Sequence, residues 1–132
     1  MSAEKSVYLD ASAMVKLVVE EKESAALNAW LGVSRNKVSC ALVRVEVGRA
    51  VAREGRMAVS RARRLLDRVD LIVLDDELLD LAAELDGPLR SLDAIHVAAA
   101  LELGDRLEVL VTYDGQMRRA AEAIGLRVAS PA

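Results

Sequence analysis

The stretch VYLDAS, residues 7–12, decides how the rest of this chain is interpreted. Val7, Tyr8 and Leu9 form a short apolar run of β-prone residues that ends at Asp10, and the residues after it favour a turn into a short helix. The pattern predicts a strand followed directly by a helix, with a carboxylate at the junction.

Short apolar runs and helical patterns continue to alternate along the chain. Such alternation indicates a parallel sheet whose two faces are covered by helices. We therefore expect an α/β fold, specifically a three-layer α/β/α sandwich with a short, mainly parallel central sheet. Further strands are predicted at residues 38–40, 71–74, 109–113 and 127–129, and further helices at residues 24–31, 42–54, about 60–69, 75–85, 92–103 and 115–124.

Length and composition favour one compact unit. At 132 residues we expect a single domain over residues 1–132, and the 53% apolar content without any phenylalanine requires a core of small and branched aliphatic side chains. The lone Cys40 excludes an internal disulfide, and the N-terminus has no apolar stretch of the signal-peptide kind. Charged residues interrupt every apolar run before the roughly 18 residues that a membrane span needs. We expect a soluble, cytoplasmic protein without a membrane segment.

The formal net charge of −3 conceals one basic region. Eight arginines and three acids lie between Arg44 and Arg68, in two predicted helices that form a hairpin, whereas the rest of the chain is acidic. Three roles stay open for this hairpin: contact with nucleic-acid phosphates, contact with an acidic segment of a protein partner, or solvation alone. The arginines concerned are Arg49, Arg53, Arg56, Arg61, Arg63, Arg64 and Arg68.

Two acidic residues stand at predicted strand ends that are far apart in the sequence. Asp10 follows the first strand, and Asp114 follows the strand over residues 109–113. In open parallel sheets the functional crevice lies beyond the carboxyl ends of the strands. The topology thus predicts that the side chains of Asp10 and Asp114 lie at the same edge of the sheet.

Two more carboxylates are placed on helices. Glu46 lies among apolar residues on a helix face that otherwise points to the core, and burying a carboxylate without a partner costs several kcal/mol. We therefore expect a cation beside Glu46, from Arg53 or from a neighbouring helix. Asp93 lies in the first turn of an unusually apolar helix with Ser91 as its predicted N-cap, where the helix dipole favours a negative charge.

Four carboxylates at one crevice repel one another unless a hard divalent cation lies between them. Mg²⁺ is the expected ion, with Mn²⁺ able to substitute, because one His and one Cys cannot build a conventional zinc site. Oxygen-ligated ions of this kind act most naturally on phosphate esters. We therefore predict a metal-dependent nuclease whose catalytic and metal-binding residues are Asp10, Glu46, Asp93 and Asp114.

Each of these four residues also has a purely structural interpretation. The strand-end acids are suitable helix N-caps, Asp93 is a suitable helix-dipole partner, and Glu46 is a suitable member of a surface ion pair. The denser acidic run at residues 75–77 is interpreted as a solvated helix start. His96 lies one turn after Asp93, but a hard-cation site does not need it, so we favour a structural or ligand-orienting role.

The residues around these carboxylates resemble the motifs of a known family. Residues 7–12 (VYLDAS), 44–49 (RVEVGR), 92–100 (LDAIHVAAA) and 111–114 (VTYD) are similar, in order and approximate spacing, to the motifs of PIN-domain ribonucleases, specifically the VapC toxins of bacterial toxin–antitoxin pairs. Each motif alone is common, whereas four in this order are specific. The resemblance covers nearly the whole chain.

The resemblance implies a PIN-like fold and a Mg²⁺- or Mn²⁺-dependent endoribonuclease that cleaves RNA. It also implies a small VapB-like antitoxin as a partner and a homodimer. Carried over residue by residue, the acidic site of the family falls on the same four carboxylates. Ser12 and Thr112 match hydroxyl residues that would orient carboxylates or water around the metal.

Two other classes of function compete with a ribonuclease. A non-enzymatic Mg²⁺-binding module of the receiver type would need adjacent acids after an early strand and a lysine after a late one, but Asp10 has no acidic neighbour and no lysine follows Lys37. A structural, partner-binding α/β protein would use the acids as caps and gain no stability from Mg²⁺ or Mn²⁺. Within the enzyme class, a nuclease acting on DNA would use the same metal chemistry.

Overall fold

Within residues 4–33 and 35–132, which the computed structural model describes, five short strands form one sheet. In chain order they are β1 (Ser6–Leu9), β2 (Asn36–Cys40), β3 (Asp70–Ile72), β4 (Leu107–Val111) and β5 (Val128–Ala129). Their spatial order is β3-β2-β1-β4-β5, and each neighbouring pair is parallel. The expected parallel sheet is confirmed, with β1 at its middle.

Helices cover both faces of the sheet. They are α1 (Ala11–Val18), α2 (Ser24–Leu31), α3 (Val43–Val51), α4 (Arg56–Arg68), α5 (Asp76–Glu84), α6 (Ser91–Glu102) and α7 (Gly115–Ile124). A 3₁₀ turn at Gly104–Arg106 leads from α6 into β4. Among the helices of the described ranges, none has the length and apolar content of a membrane-spanning segment.

The sheet separates two hydrophobic clusters. In β1, Val7 and Leu9 point to one face and Tyr8 to the other, as the two-residue period of a strand requires. Helices α1 to α4 pack on the face of Val7, and helices α5 to α7 pack on the face of Tyr8. The three-layer α/β/α sandwich expected from the sequence is confirmed.

Helix α6 is buried on most of its surface. Val97, Ala98, Ala99 and Ala100 have no exposed surface. Small side chains allow the α6 backbone to lie close to β2, β4 and α5, because no long side chain has to be accommodated between them. Packing on several sides therefore fixes the position of the helix that carries Asp93.

Two predicted strands end earlier than the apolar runs that identified them. β3 ends at Ile72 rather than two residues later, because its partner β2 offers no ladder position beyond that point, and Val73 is 72% exposed. β4 likewise ends at Val111 rather than at Tyr113. The last residues of both runs belong to the connections that follow the strands.

Two predicted helix starts are also corrected. α4 begins at Arg56 rather than near Ser60, because Gly55 has a φ of 97°, a backbone angle that glycine adopts readily and that sets the chain into the helix. α6 has Arg90, and not Ser91, as its N-cap residue, since the carbonyl of Arg90 already accepts the first helical hydrogen bond. Arg90 thereby lies immediately beside the first turn of α6.

The order of the strands makes the carboxyl ends of β1 and β4 a topological switch point. The crossover after β1 leads to β2 on one side, whereas β4 lies on the other side of β1. In open α/β sheets, ligands bind at such a switch point, outside the carboxyl ends of the strands. A functional site is therefore expected in the loops after β1 and β4.

Truncation of Leu110 tests the packing on the α5–α7 face. Leu110 in β4 is fully buried, so Leu110→Ala should leave a cavity and lower the free energy of unfolding by about 2–5 kcal/mol. Leu79 on α5 is 41% exposed, and Leu79→Ala should cost less than about 1 kcal/mol. Urea denaturation measures both values, and equal losses would contradict the described core.

Candidate active site

Asp10 lies at the carboxyl end of β1 and caps helix α1. Only 2% of its surface is exposed. Its Oδ1 accepts hydrogen bonds from the backbone N–H of Ala13 (2.9 Å) and the hydroxyl of Ser12 (2.7 Å), and its Oδ2 accepts one from the hydroxyl of Thr112 (2.5 Å). Burial raises the pKa of Asp10, while these hydrogen bonds act in the opposite direction. A desolvated carboxylate of this kind gains from a cation in the crevice.

Thr112 joins Asp10 to Asp114. Its hydroxyl donates to Asp10 and accepts a hydrogen bond from the backbone N–H of Asp114 at 3.1 Å. Asp114 is the N-cap of α7, because its Oδ1 accepts a hydrogen bond from the backbone N–H of Met117 at 3.0 Å. The two strand-end acids predicted to share one edge of the sheet thus contact the same threonine.

Ser12 makes a second link between the same segments. Its hydroxyl donates to Asp10 Oδ1 and accepts a hydrogen bond from the backbone N–H of Tyr113 at 3.0 Å. Because the hydroxyls of Ser12 and Thr112 each accept a backbone N–H, each has its own proton directed at Asp10. Both hydroxyl residues singled out from the sequence therefore contact the first carboxylate directly.

Arg90 links Asp93 to Asp114. Its Nε donates to Asp93 Oδ2 at 3.1 Å, and its Nη2 donates to Asp114 Oδ2 at 3.0 Å. The side chain of Asp93 is 13% exposed and that of Asp114 26%, whereas that of Arg90 is 72% exposed. Sequence analysis missed Arg90, although its position three residues before Asp93 at a helix start was an available signal.

His96 is the cation beside Glu46. Its Nε2 lies 2.6 Å from Glu46 Oε1, and its Nδ1 lies 2.8 Å from the hydroxyl of Tyr8 and 3.7 Å from the Sγ of Cys40. Burial opposes a charge on His96, but the contacts with Cys40 and Glu46 outweigh burial and raise the pKa of His96 to about 10. A protonated His96 donates through both ring nitrogens and fixes Glu46 against α6.

This contact identifies which of the expected cations Glu46 uses. The neighbouring helix α6 supplies the charge through His96, and Arg53 is exposed instead. The contact occupies Oε1 of Glu46, whose side chain is 21% exposed. His96, which is 1% exposed, therefore lies on the buried side of the carboxylate.

Three of the four predicted carboxylates thus belong to one network of contacts. Thr112 and Arg90 link the three aspartates. Glu46 is held separately, by His96 on α6. In the part of the chain that the structure describes, no three His, Cys, Asp or Glu side chains are already gathered as a metal-binding group. Like charges stay apart without an ion between them, and Arg90 draws two of the carboxylates to itself. The donor set has the oxygen chemistry of a hard divalent cation, with side-chain rotation needed to close around it.

Comparison with known proteins identifies the family of the chain. Residues 7–123 match the family model described as PIN domain. The chain belongs to the PIN-domain family. It is 47% identical over 127 residues to Ribonuclease VapC46 of Mycobacterium tuberculosis (strain ATCC 25618 / H37Rv), an alignment that covers 96% of this chain and 98% of that protein.

Solved structures agree with the PIN-domain assignment. The crystal structure of Mycobacterium tuberculosis VapC20, a toxin that cleaves the sarcin–ricin loop, matches with a TM-score of 0.73 at 20% identity and covers 96% of this chain and 100% of that one. A toxin–antitoxin complex from Klebsiella pneumoniae matches with a TM-score of 0.72 at 19% identity, covering 96% and 98%. At these identities the matches confirm the fold.

The acidic run at residues 75–77 lies away from the network of this PIN domain. Asp75 is exposed and caps α5. Burial and the charges of Asp75 and Glu77 raise the pKa of Glu102, so the run lies near the last residue of α6. At a rise of about 1.5 Å per residue, Glu102 is roughly 13 Å from Asp93 along the helix axis. The geometry agrees with a solvated helix start.

The arginine-rich hairpin of the PIN domain consists of α3 and α4. The seven arginines singled out from the sequence are all exposed, and within residues 4–33 and 35–132 none of them forms an ion pair with an acid. Helix α3 also carries Glu46, whose side chain is 21% exposed. A dense positive surface therefore lies on the helix pair that includes the helix of Glu46.

Removal of the His96 side chain tests how Glu46 is held. His96→Leu should lower the free energy of unfolding of the metal-free protein by about 1–3 kcal/mol, because Glu46 and Tyr8 lose a hydrogen-bond partner. Glu46→Gln should lower it by a similar amount, since the amide oxygen still accepts the hydrogen bond from His96 but the charge that balances a buried cation is lost.

The control for this experiment is an exposed ion pair. Glu122→Gln breaks the contact of Glu122 with Arg118 on α7 and should cost less than about 1 kcal/mol. Urea unfolding in EDTA compares the three variants. If His96→Leu is no more destabilising than Glu122→Gln, His96 does not hold Glu46 in place.

Proposed function

We propose that residues 1–132 form a single PIN-like nuclease domain, the toxin of a VapBC-type toxin–antitoxin pair, which cleaves RNA phosphodiester bonds internally. One observation carries this proposal: three aspartates from separate elements meet at the carboxyl ends of β1 and β4, in a chain 47% identical to a ribonuclease VapC. The activity depends on a divalent ion, for which Mg²⁺ is proposed and Mn²⁺ is an expected substitute.

The four carboxylates are proposed as ligands of this ion and as the catalytic residues. When bound, the ion polarises the phosphate, activates water and stabilises the leaving oxygen. Asp10 is the fixed member of the set, because both of its oxygens accept hydrogen bonds from the protein. His96 directs Glu46 toward the crevice, and a carboxylate of the set accepts the proton of the attacking water.

Ser12 and Thr112 act through Asp10 in this proposal. Each hydroxyl donates to a different oxygen of Asp10, which leaves the remaining lone pairs of the carboxylate with a defined direction. Neither hydroxyl is needed as a ligand. Their role is to position Asp10 and to stabilise its negative charge when the ion is absent.

Helix capping alone does not account for this arrangement. Asp10 and Asp114 do cap α1 and α7, but each uses Oδ1 for the cap and leaves Oδ2 to the network. Asp93 and Glu46 cap no helix. The structural interpretation of the strand-end acids is therefore compatible with the catalytic one and does not replace it.

The proposed partners follow from charge and from the VapC relationship. The exposed arginines of α3 and α4 offer positive charge to the RNA backbone, and with only two tyrosines and one tryptophan in the chain we expect backbone contacts rather than base stacking. A small VapB-like antitoxin and a homodimer are proposed as well. The toxin–antitoxin complex from Klebsiella pneumoniae supports the first of these by its likeness in fold.

Loss of a site carboxylate tests the proposed reaction. Asp10→Asn and Asp93→Asn should each reduce RNA cleavage more than about 100-fold, since even groups that only orient a metal ligand cost 10–100-fold. Both variants should stay folded, because asparagine still caps α1 in Asp10→Asn, and Asp93→Asn removes only an ion pair with the exposed Arg90. The assay incubates purified protein with total RNA and Mg²⁺ or Mn²⁺, with and without EDTA, and sequences the new ends.

Asp75→Asn is the matched control. Asp75 caps α5 as Asp10 caps α1, but it lies outside the network, so the variant should cleave like the wild type. Full activity of Asp10→Asn would contradict the proposed catalytic site. A single-stranded DNA of the same sequence, tested beside the RNA, distinguishes an RNA-directed from a DNA-directed nuclease.

Ion binding without substrate gives an independent prediction. Mn²⁺ and Mg²⁺ should each raise the melting temperature of the wild type and not that of Asp10→Asn, because the ion binds the folded site and not the unfolded chain. At an ion concentration about 100 times Kd, the stabilisation approaches 2.7 kcal/mol. If neither ion changes the melting temperature of the wild type, the result would favour the structural, partner-binding alternative.

A further inference from the structure

The proposed reaction gives Arg90 no role, although its side chain contacts two carboxylates of the candidate site. Its guanidinium bridges carboxylates from two elements, Asp93 on α6 and Asp114 at the start of α7. In the described ranges, no other arginine or lysine pairs with a carboxylate of the site. Arg90 is thus the cation that faces this crevice from the solvent side.

Arg90 and a divalent ion compete for the same oxygen. Asp114 uses Oδ1 to cap α7, so Oδ2, which now accepts from Arg90, is the oxygen that it offers to a ligand. A divalent ion carries twice the charge of a guanidinium and attracts the carboxylates about twice as strongly at equal distance. Binding of the ion should therefore release the arginine.

Breaking the contacts of Arg90 with Asp93 and Asp114 costs little free energy. The side chain of Arg90 is 72% exposed, and exposed ion pairs contribute only about 0–1 kcal/mol each. The long arginine side chain can turn toward solvent without a change in the α6 backbone, which packing holds in place. Arg90 is accordingly an exchangeable cation, in contrast to the buried His96.

We propose that Arg90 exchanges partners, pairing with Asp93 and Asp114 in the metal-free protein and binding a phosphate of the RNA once the ion has taken these carboxylates. A phosphate drawn to the ion brings negative charge next to the place that Arg90 vacates. The planar fork of a guanidinium matches two phosphate oxygens at once. This inference rests on the proposed cleavage of RNA and assigns Arg90 as an RNA-binding residue.

Arg90→Gln tests both halves of the exchange. The Kd for Mn²⁺ of the RNA-free protein, measured by titration calorimetry, should fall about 5-fold because a competing cation is gone. The KM for a labelled single-stranded RNA should rise about tenfold or more, with a smaller change in kcat, because a charge-assisted contact to phosphate is lost. Arg90→Lys keeps the charge without the fork and should give an intermediate KM. A role in starting α6 alone would not shift the two constants in opposite directions.

Arg106→Gln is the matched control. Arg106 is also exposed, but it lies beyond the other end of α6, just before β4, so both constants should keep their wild-type values. An unchanged or raised Mn²⁺ Kd in Arg90→Gln overturns the competition, and an unchanged KM overturns the RNA contact.

If the wild type cleaves no RNA with either ion, the proposed function fails instead. The Mn²⁺ titration needs no RNA and still decides the competition between Arg90 and the ion. Fluorescence anisotropy of the uncut RNA in Mn²⁺ then replaces KM: weaker binding by Arg90→Gln supports the phosphate contact, and equal binding overturns it.

Discussion

The buried carboxylate of Asp10 needs hydrogen-bond donors, and the segments that supply them set the geometry of the site. The donors come from the first turn of α1 and from the connection after β4, so they tie β1 and β4 together beyond their ladder. Ser12 and Thr112 also accept backbone N–H groups of that connection, which fixes its path and hence the position of Asp114. The desolvation penalty of one carboxylate is thus offset by contacts that place a second.

The remaining carboxylates are balanced by cations of two different kinds. Glu46 has His96, which is 1% exposed and bonded on both ring nitrogens, so this contact forms part of the core. Asp93 has Arg90, which lies largely in solvent. Buried pairs are costly to break, whereas exposed pairs are exchanged at little cost. The metal-free site therefore combines a rigid inner side with a labile outer side.

The sequence was sufficient to predict those features that follow from hydrophobic periodicity and from the topology of a parallel sheet. The alternation of strands and helices fixed the layers, and the rule that parallel strands end at one edge brought Asp10 and Asp114 together. The predicted end of β3 was wrong, because the strand extends only as far as its partner β2. No residue pattern within β3 contains this information. His96, the partner of Glu46, lies 50 residues away on another helix. Arg90 lies at a helix start, where an arginine has many other uses. Such pairings depend on tertiary contacts and emerge only with the coordinates.

The alanine-rich packing of α6 has a consequence for how the site responds to perturbation. Asp93 and His96 are three residues apart, so they lie on neighbouring positions of one helix face, and a rotation or slide of α6 moves both. Asp93 and the residue that holds Glu46 therefore move together. A larger side chain at Ala98 or Ala99, which lie five and six residues after Asp93, would shift the helix as a rigid body. The spacing between Glu46 on α3 and Asp93 on α6 is in this sense a property of the core, and it depends on the alanine side chains of α6.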